Sequence, residues 1–391
     1  MKILVLIPDS PAPWSNTAAR YYAPMLKTLE ALGHQITAFA VRGNPQTEVE
    51  TASYFGKTGI RFRFFDRPHP RPFLERKARS LWRSGWELSA SEFGRAARQE
   101  AAGDYDVVLA EQICTARAME GFPRVVCTLD CLRHVDMRAI GNDGSWIRRL
   151  RKWQVRREER STIAKVGKVH ALTRRLEDLT KKLAPRTRTC VVPLCLDPAL
   201  YEPLAAPTVP TVGVIGSMFW EPSRAAAIHF MESIVPRLRQ KRPGTKFLVA
   251  GWRAQSYLSG LARKAGVELV ENFSHPKDIF QRLSVLVYAP PEGTGMKVKV
   301  LESMAYGVPV VVNEVGYEGL EADPEPGVQL VISDDEIVEV AVDLLEDPAR
   351  RRRAVERGRA CLARSFSPEA TTGTLVAHLS ELTRTAISIA G

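Results

Sequence analysis

Gly293, Thr294 and Gly295, followed by Lys297, Lys299 and Glu302, bring together residue types that can hold an anion beside a polyol. Paired glycines let a ligand approach backbone N–H groups, and the start of a helix favours negative charge there. A lysine adds a mobile cation. A carboxylate farther along can accept hydrogen bonds from sugar hydroxyls. Read as a helix, Gly295, Lys299, Glu302 and Tyr306 share one face. A diphosphate at the helix start with a ribose farther on, hence a nucleotide sugar, fits that face. The same spacing also describes a solvated face with an ordinary Lys299–Glu302 surface pair, a common arrangement.

The elements that must position these residues are legible around them. An apolar run, Leu283–Ala289, reads as a strand and feeds the Pro-Gly turn Pro290–Gly295. A helical run follows, with Val298, Leu301, Met304 and Ala305 as an apolar face, and Gly307 closes it. Then come the β-branched run Val308–Val312 and a second turn, Gly316–Gly319. Strand, turn, helix, strand is the grammar of a parallel α/β sheet.

The same alternation extends upstream. Strands are expected at Thr211–Gly216, Lys246–Ala250, Val267–Val270 and Val285–Tyr288, with helices at Ser223–Gln240, Gln255–Ala265 and His275–Arg282 between them. The first half repeats the pattern. Strands are expected at Lys2–Ile7, Gln35–Val41, Ile60–Phe65, Asp106–Ala110, Arg124–Leu129 and Lys168–Leu172, with a helix at Ala18–Leu32. Pro203–Pro210 is a stiff Pro/Ala stretch suited to a linker. Charge-rich helices at Asp334–Leu345 and Pro348–Ser365, then a helical stretch at Ser367–Ile389, complete the chain. The fold class is α/β, with two Rossmann-like, doubly wound parallel sheets.

Composition narrows the function classes. A chain of 391 residues with 45% hydrophobic and 25% charged residues suits two globular domains. No apolar run approaches the ~20 residues of a membrane span. Met1–Pro8 is too short for a signal peptide and reads as a buried first strand. The six cysteines are scattered without a C-x-x-C pair, as expected of free thiols in a reducing cytoplasm. The net charge of +11 suits anionic partners: a nucleotide sugar, an acidic lipid or a nucleic acid. No nucleic-acid-binding motif, G-x-S-x-G elbow or Walker sequence is present, so nucleic acid is not an expected partner.

The stretch G-T-G-x-K-x-K-x-L-E-x-M-A-x-G-x-P-V-V with G-x-E-G-L after it (residues 293–320) resembles the donor-binding segment of retaining GT-B glycosyltransferases of family 4. It is closest in pattern to a branch reading G-[ST]-G-x-K-x-K. The resemblance implies two Rossmann-like domains facing a cleft: 1–205 on the acceptor side, 206–370 holding the nucleotide sugar, and 371–391 as a helix crossing back. It implies sugar transfer from a nucleoside diphosphate with retention, and no cofactor or obligatory metal.

The family often carries two glutamates in E-x7-E. Glu302 matches the second, and Thr294 stands at the first. Thr294 and the amides of Gly295, Met296 and Lys297 are then the groups left to grip the donor sugar. Family members also clamp the diphosphate with an Arg just after the glycine matching Gly216 and a Lys several residues on. Here those positions are Ser217 and Ser223, with Arg224 next to the second, so the charge falls to Lys297 or Lys299. Asn272 and Phe273 match the region that meets the base, Phe273 being equally readable as core. On the acceptor side, the resemblance implicates Trp14, Ser15 and Asn16, in the loop after the first strand, where a plain capped connection is the other reading. It also implicates Asp130, with His134 behind it. An N-cap role for Asp130 is equally open. Val191–Pro198 matches the interdomain segment P-N-G-V-D, with Leu194 and Cys195 for Asn and Gly.

Two basic stretches remain. Arg61–Arg83 interleaves eight Lys/Arg with Phe64, Phe65, Phe73, Leu74, Leu81 and Trp82. Trp146–Arg160 holds seven Lys/Arg, with Trp146, Leu150 and Trp153 at helical spacing. Such a helix suits an anionic membrane surface, unless the Trp/Leu stripe packs on its own domain. The expected function is a cytoplasmic glycosyltransferase, peripheral at the membrane if that helix docks, acting on an unidentified hydroxyl acceptor. Two alternatives keep the donor motif: a nucleotide-sugar epimerase or pseudo-glycosyltransferase, and a non-catalytic nucleotide-sugar-binding or membrane-surface protein.

Overall fold

The protein is described by a computed structural model that covers residues 1–68, 86–141 and 145–390, with the side chains of 86, 87 and 382–390 left aside. The part of the first basic stretch from His69 to Arg83 therefore lies outside the described residues.

Contacts divide the chain into two compact units. The first comprises Met1–His134, Ser145–Asp197 and Pro368–Gly391. Its strands are β1 (Lys2–Ile7), β2 (Gln35–Val41), β3 (Arg61–Phe65), β4 (Val107–Glu111), β5 (Val125–Leu129), β6 (Lys168–Ala171) and β7 (Arg188–Val191). They form one parallel sheet in the order β3-β2-β1-β4-β5-β6-β7. Ile3–Ile7 are fully buried, which is why this strand reads as an unbroken apolar run rather than an alternating one. Leu4 pairs with Thr37 on one side and Val108 on the other. The strand order thus reverses at β1, where ligands of open α/β sheets bind. The last helix, Pro368–Ala390, packs against helix Ala19–Ala31 of this unit.

The second unit comprises Val135–Gly144 and Pro198–Ser367. It holds β8 (Thr211–Ile215), β9 (Lys246–Ala250), β10 (Glu268–Val270), β11 (Val285–Tyr288), β12 (Val310–Val312) and β13 (Gln329–Leu330). All pair in parallel, in the order β10-β9-β8-β11-β12-β13. The reversal here falls at β8, between β9 and β11. Two parallel, doubly wound sheets are what the sequence pattern predicts.

Several expectations are corrected in detail. The helix after the Pro-Gly turn is Val298–Tyr306 and begins three residues after Gly295, whose φ of 76° turns the chain instead. Gly295 is therefore not on the face of Lys299, Glu302 and Tyr306. The solvated-face reading also fails, because every residue of this helix except Lys299 is buried. The run expected as one helix over Ser223–Gln240 is Glu221–His229, a π-turn at Phe230–Ile234, and Val235–Lys241. Pro236 supplies the reason, since it has no N–H and its ring crowds the preceding turn.

For helix Trp146–Val166, of the two readings left open, the one in which the Trp/Leu stripe packs on its own domain does not hold. The buried positions are Val155, Glu159, Thr162, Ile163 and Val166, about half a turn around the helix from the stripe. Trp146 is 71% exposed and Trp153 55%. All six cysteines are free thiols. Among the described residues no helix is long and apolar enough to cross a membrane.

Candidate functional site

The second unit concentrates its chemistry at the carboxyl end of β8. There the chain turns at Gly216, and a side chain at that position would meet Ser223 Oγ at 2.8 Å and Lys299 Cε at 3.0 Å. Only glycine fits so close to both. Lys299 reaches this turn from the first turn of helix Val298–Tyr306. Its ammonium donates to Ser223 Oγ at 3.2 Å and lies 4.2 Å from the centroid of the Tyr288 ring. Burial pushes its pKa down to about 8, against Glu302 and Asp136, whose charges pull it up.

The two lysines, indistinguishable in sequence, therefore separate. Lys297 lies outside the helix with extended φ and is 7% exposed. Its ammonium donates to the Gly295 carbonyl and pairs with Glu318 Oε2 at 3.4 Å. Glu318 Oε1 in turn accepts the Gly295 N–H at 3.0 Å. Lys297 and Glu318 thus pin the loop from inside. The Gly295 amide, expected to be open to a ligand, is already committed to a carboxylate.

Thr294 is nearly buried, and its hydroxyl donates to Asp136 Oδ1 at 2.8 Å. Met296 is buried too. Glu302, 3% exposed, accepts from the Tyr201 hydroxyl at 3.4 Å, and Tyr201 packs edge-on against Tyr306. Lys299, Glu302, Thr294 and Gly216 thus lie in one neighbourhood. Other expected donor residues lie apart from it or are otherwise occupied. Ser217 is exposed. Arg224 is half-buried. Its guanidinium donates to the Met218 carbonyl at 3.1 Å and stacks over Tyr257. Asn272 is exposed with φ of 61°, and Phe273 is half-buried rather than core. Beside Gly216, Phe219 and Trp252 form an exposed aromatic pair 5.5 Å apart, with the Arg253 guanidinium over both rings.

In the first unit the loop after β1 is held largely by its own side chains. Ser15 Oγ donates to the carbonyls of Ser10 and Ala12, and Asn16 Oδ1 accepts the Ala19 N–H that opens helix Ala19–Ala31. The Trp14 N–H donates to Glu50 Oε1 at 2.9 Å. Asp130 follows β5, and burial raises its pKa to about 6. It is not the cap of the short helix Arg133–Asp136. Glu159 does that work, accepting from the N–H groups of Arg133 at 2.7 Å and His134 at 3.4 Å. His134 is buried with Nδ1 2.5 Å from the same carboxylate.

Three residues escaped sequence reasoning. Glu318 had a signal, its place in G-x-E-G-L. Asp136 had only its position six residues after Asp130. Glu111, at the end of β4, is fully buried and accepts from Tyr21 and Thr128 hydroxyls at 3.0 Å, and burial raises its pKa to about 7. A glutamate ending an apolar strand looks like a helix-starting surface residue until the fold covers it.

Comparison with known proteins places this geometry. Residues 209–347 match the family Glycosyl transferases group 1. That span lies within the second unit and includes Gly216, Lys299 and Glu302. The fold as a whole is GT-B. Sucrose-phosphate synthase from Thermosynechococcus elongatus is similar with a TM-score of 0.71 at 16% identity, over 100% of both chains. HepE from Anabaena, solved with UDP and glucose, gives 0.64 at 16% identity, covering 97% of this chain and 100% of that one. WaaG, a glycosyltransferase involved in lipopolysaccharide biosynthesis, gives 0.62 at 16% identity, covering 94% and 98%. Comparison by sequence with curated proteins finds no significant match.

Proposed function

We propose that the protein is a retaining glycosyltransferase of family 4, in the G-[ST]-G-x-K-x-K branch, moving a sugar from a nucleoside diphosphate to a hydroxyl acceptor. The observation that carries this reading is the Lys299 ammonium seated between Gly216 and Ser223 at the end of β8, with Glu302 one turn along the same helix. A diphosphate fits the first and a ribose the second. HepE, of the same fold, has been solved with UDP and with UDP-glucose.

In this reading residues 206–370 bind the donor, residues 1–205 bind the acceptor, and 371–391 return to the acceptor side. Catalysis rests on positioning and electrostatics. Lys299 stabilises the charge that grows on the leaving diphosphate, and the acceptor hydroxyl attacks from the face the diphosphate leaves. Asp130, with His134 behind it, serves the acceptor side. No cofactor or metal is required.

The pH dependence follows from Lys299. Its charged form binds the diphosphate, so donor affinity should be full below pH 8 and fall as pH rises through about 8. The groups bearing on it are Glu302 and Asp136, with Tyr288 beneath. Calorimetric titration with the donor between pH 6.5 and 9.5, values chosen to bracket an ammonium shifted below its usual range, checks this. Affinity that stays constant throughout would count against the assignment of Lys299.

In the same reading the acceptor lies at a membrane; what supports this is helix Trp146–Val166, whose exposed Trp146, Ile147, Leu150 and Trp153 are interleaved with arginines. The location implied is the cytoplasmic face of an anionic bilayer. Flotation with phosphatidylglycerol vesicles should occur at low salt, weaken as salt rises and vanish in Trp146→Ser/Trp153→Ser. Absence of flotation at low salt would leave a soluble acceptor.

A further inference from the structure

The donor loop has a hydroxyl, Thr294, where the related pattern has a carboxylate, yet the structure brings a carboxylate to that point. Asp136 is wholly buried and clusters with the second unit, although in sequence it follows a strand of the first. Its Oδ1 accepts from Thr294 Oγ1 at 2.8 Å across a separation of 158 residues. Taking a carboxylate out of water is costly, so its retention beside Lys299 and Glu302 calls for a compensating role.

The hydroxyl's bonding capacity indicates that role. A threonine hydroxyl has one proton and two lone pairs. With its proton given to Asp136, Thr294 Oγ1 meets a further partner as an acceptor, and the carboxylate behind it strengthens that acceptor. It then presents what a glutamate oxygen would present. The identity of the partner follows from the shape of a nucleotide sugar, in which the diphosphate lies between two polyols. Lys299 takes the middle. Glu302, one turn farther along the helix, takes the ribose. Thr294 precedes the helix in the chain, and the sugar end of the donor is the part left for it.

We propose that Thr294 and Asp136 act as one unit, the threonine hydroxyl accepting from a hydroxyl of the transferred sugar while Asp136 holds its proton. Thr294 is the contact residue and Asp136 the positioning residue. This rests on the nucleotide-sugar reading above and adds to it a binding element for the sugar end of the donor.

The test separates sugar from diphosphate. Calorimetry with UDP against UDP-glucose, and with GDP against GDP-mannose, is run on the full-length protein. Thr294→Val and Asp136→Ala should each weaken the sugar nucleotide about tenfold, the loss of one hydrogen bond to a charge-assisted acceptor, and leave the bare diphosphate nearly unchanged. Retained diphosphate binding also shows that each variant is folded. Thr294→Ser should lose less than Thr294→Val. Asp136→Ala combined with Thr294→Glu, which puts the carboxylate on the loop itself, should recover most of what Asp136→Ala loses. Equal weakening of both ligands would make the pair a simple loop tether and overturn the proposal, as would no weakening of either or no recovery in the double variant. A wild-type protein that binds none of the four ligands would overturn the donor reading and this proposal together.

Discussion

Replacing Lys299 by methionine should lower kcat about a hundredfold and weaken nucleoside-diphosphate binding, with the protein still folded. The first magnitude is that of removing one preorganised donor from a developing negative charge. Methionine has similar reach and can take the place over the Tyr288 ring that the lysine ammonium now occupies. Removing the charge therefore leaves the aromatic floor covered. The paired control is Lys297→Met. Lys297 is held by Gly295 and Glu318, so its loss should appear in stability before it appears in donor affinity. If Lys297→Met abolished donor binding and Lys299→Met did not, the two roles would have to be exchanged.

Glu318→Ala should destabilise the protein by about 3–5 kcal/mol, because it leaves a buried ammonium without its counter-charge. Both partners are nearly inaccessible, with side chains 7% and 3% exposed. The carboxylate also accepts the Gly295 N–H, so the loop loses two anchors at once. Urea unfolding followed by near-ultraviolet circular dichroism measures the cost. The double replacement Lys297→Met/Glu318→Leu removes both charges and should recover most of the loss, since an apolar pair of similar volume can substitute for a buried ion pair. A single variant as stable as the wild type would mean that the pair is solvated in solution.

The sheets were legible from the chain because their strands are buried on both faces and read as apolar runs, as Ile3–Ile7 and Val285–Tyr288 do. The site was legible only in outline. Glycine, lysine and glutamate at fixed spacing located the loop, but the boundary of the helix decides where each side chain points. Gly295 in a left-handed conformation and Lys297 in an extended one leave Lys299 alone at the end of β8. Glu318 and Asp136 lie 23 and 158 residues from their partners in the loop, beyond any local pattern. Helix Trp146–Val166 shows the same limit in another form. Periodicity reveals a stripe, but not whether it faces inward. Its inward face turned out to be Val155, Glu159, Thr162, Ile163 and Val166. Pro236 was visible in the sequence, and its effect was to widen a helical turn rather than end the helix.

The central claim is that the Lys299 turn at the end of β8 binds the diphosphate of a nucleotide sugar. Calorimetric titration of the wild type and Lys299→Met with UDP, GDP and ADP tests it most directly. The account predicts that the wild type binds one of these diphosphates and that Lys299→Met binds the same one at least tenfold more weakly, the cost of about 1.4 kcal/mol or more expected for a charged hydrogen bond. Equal affinity in the two proteins, or no diphosphate binding by the wild type, would contradict it.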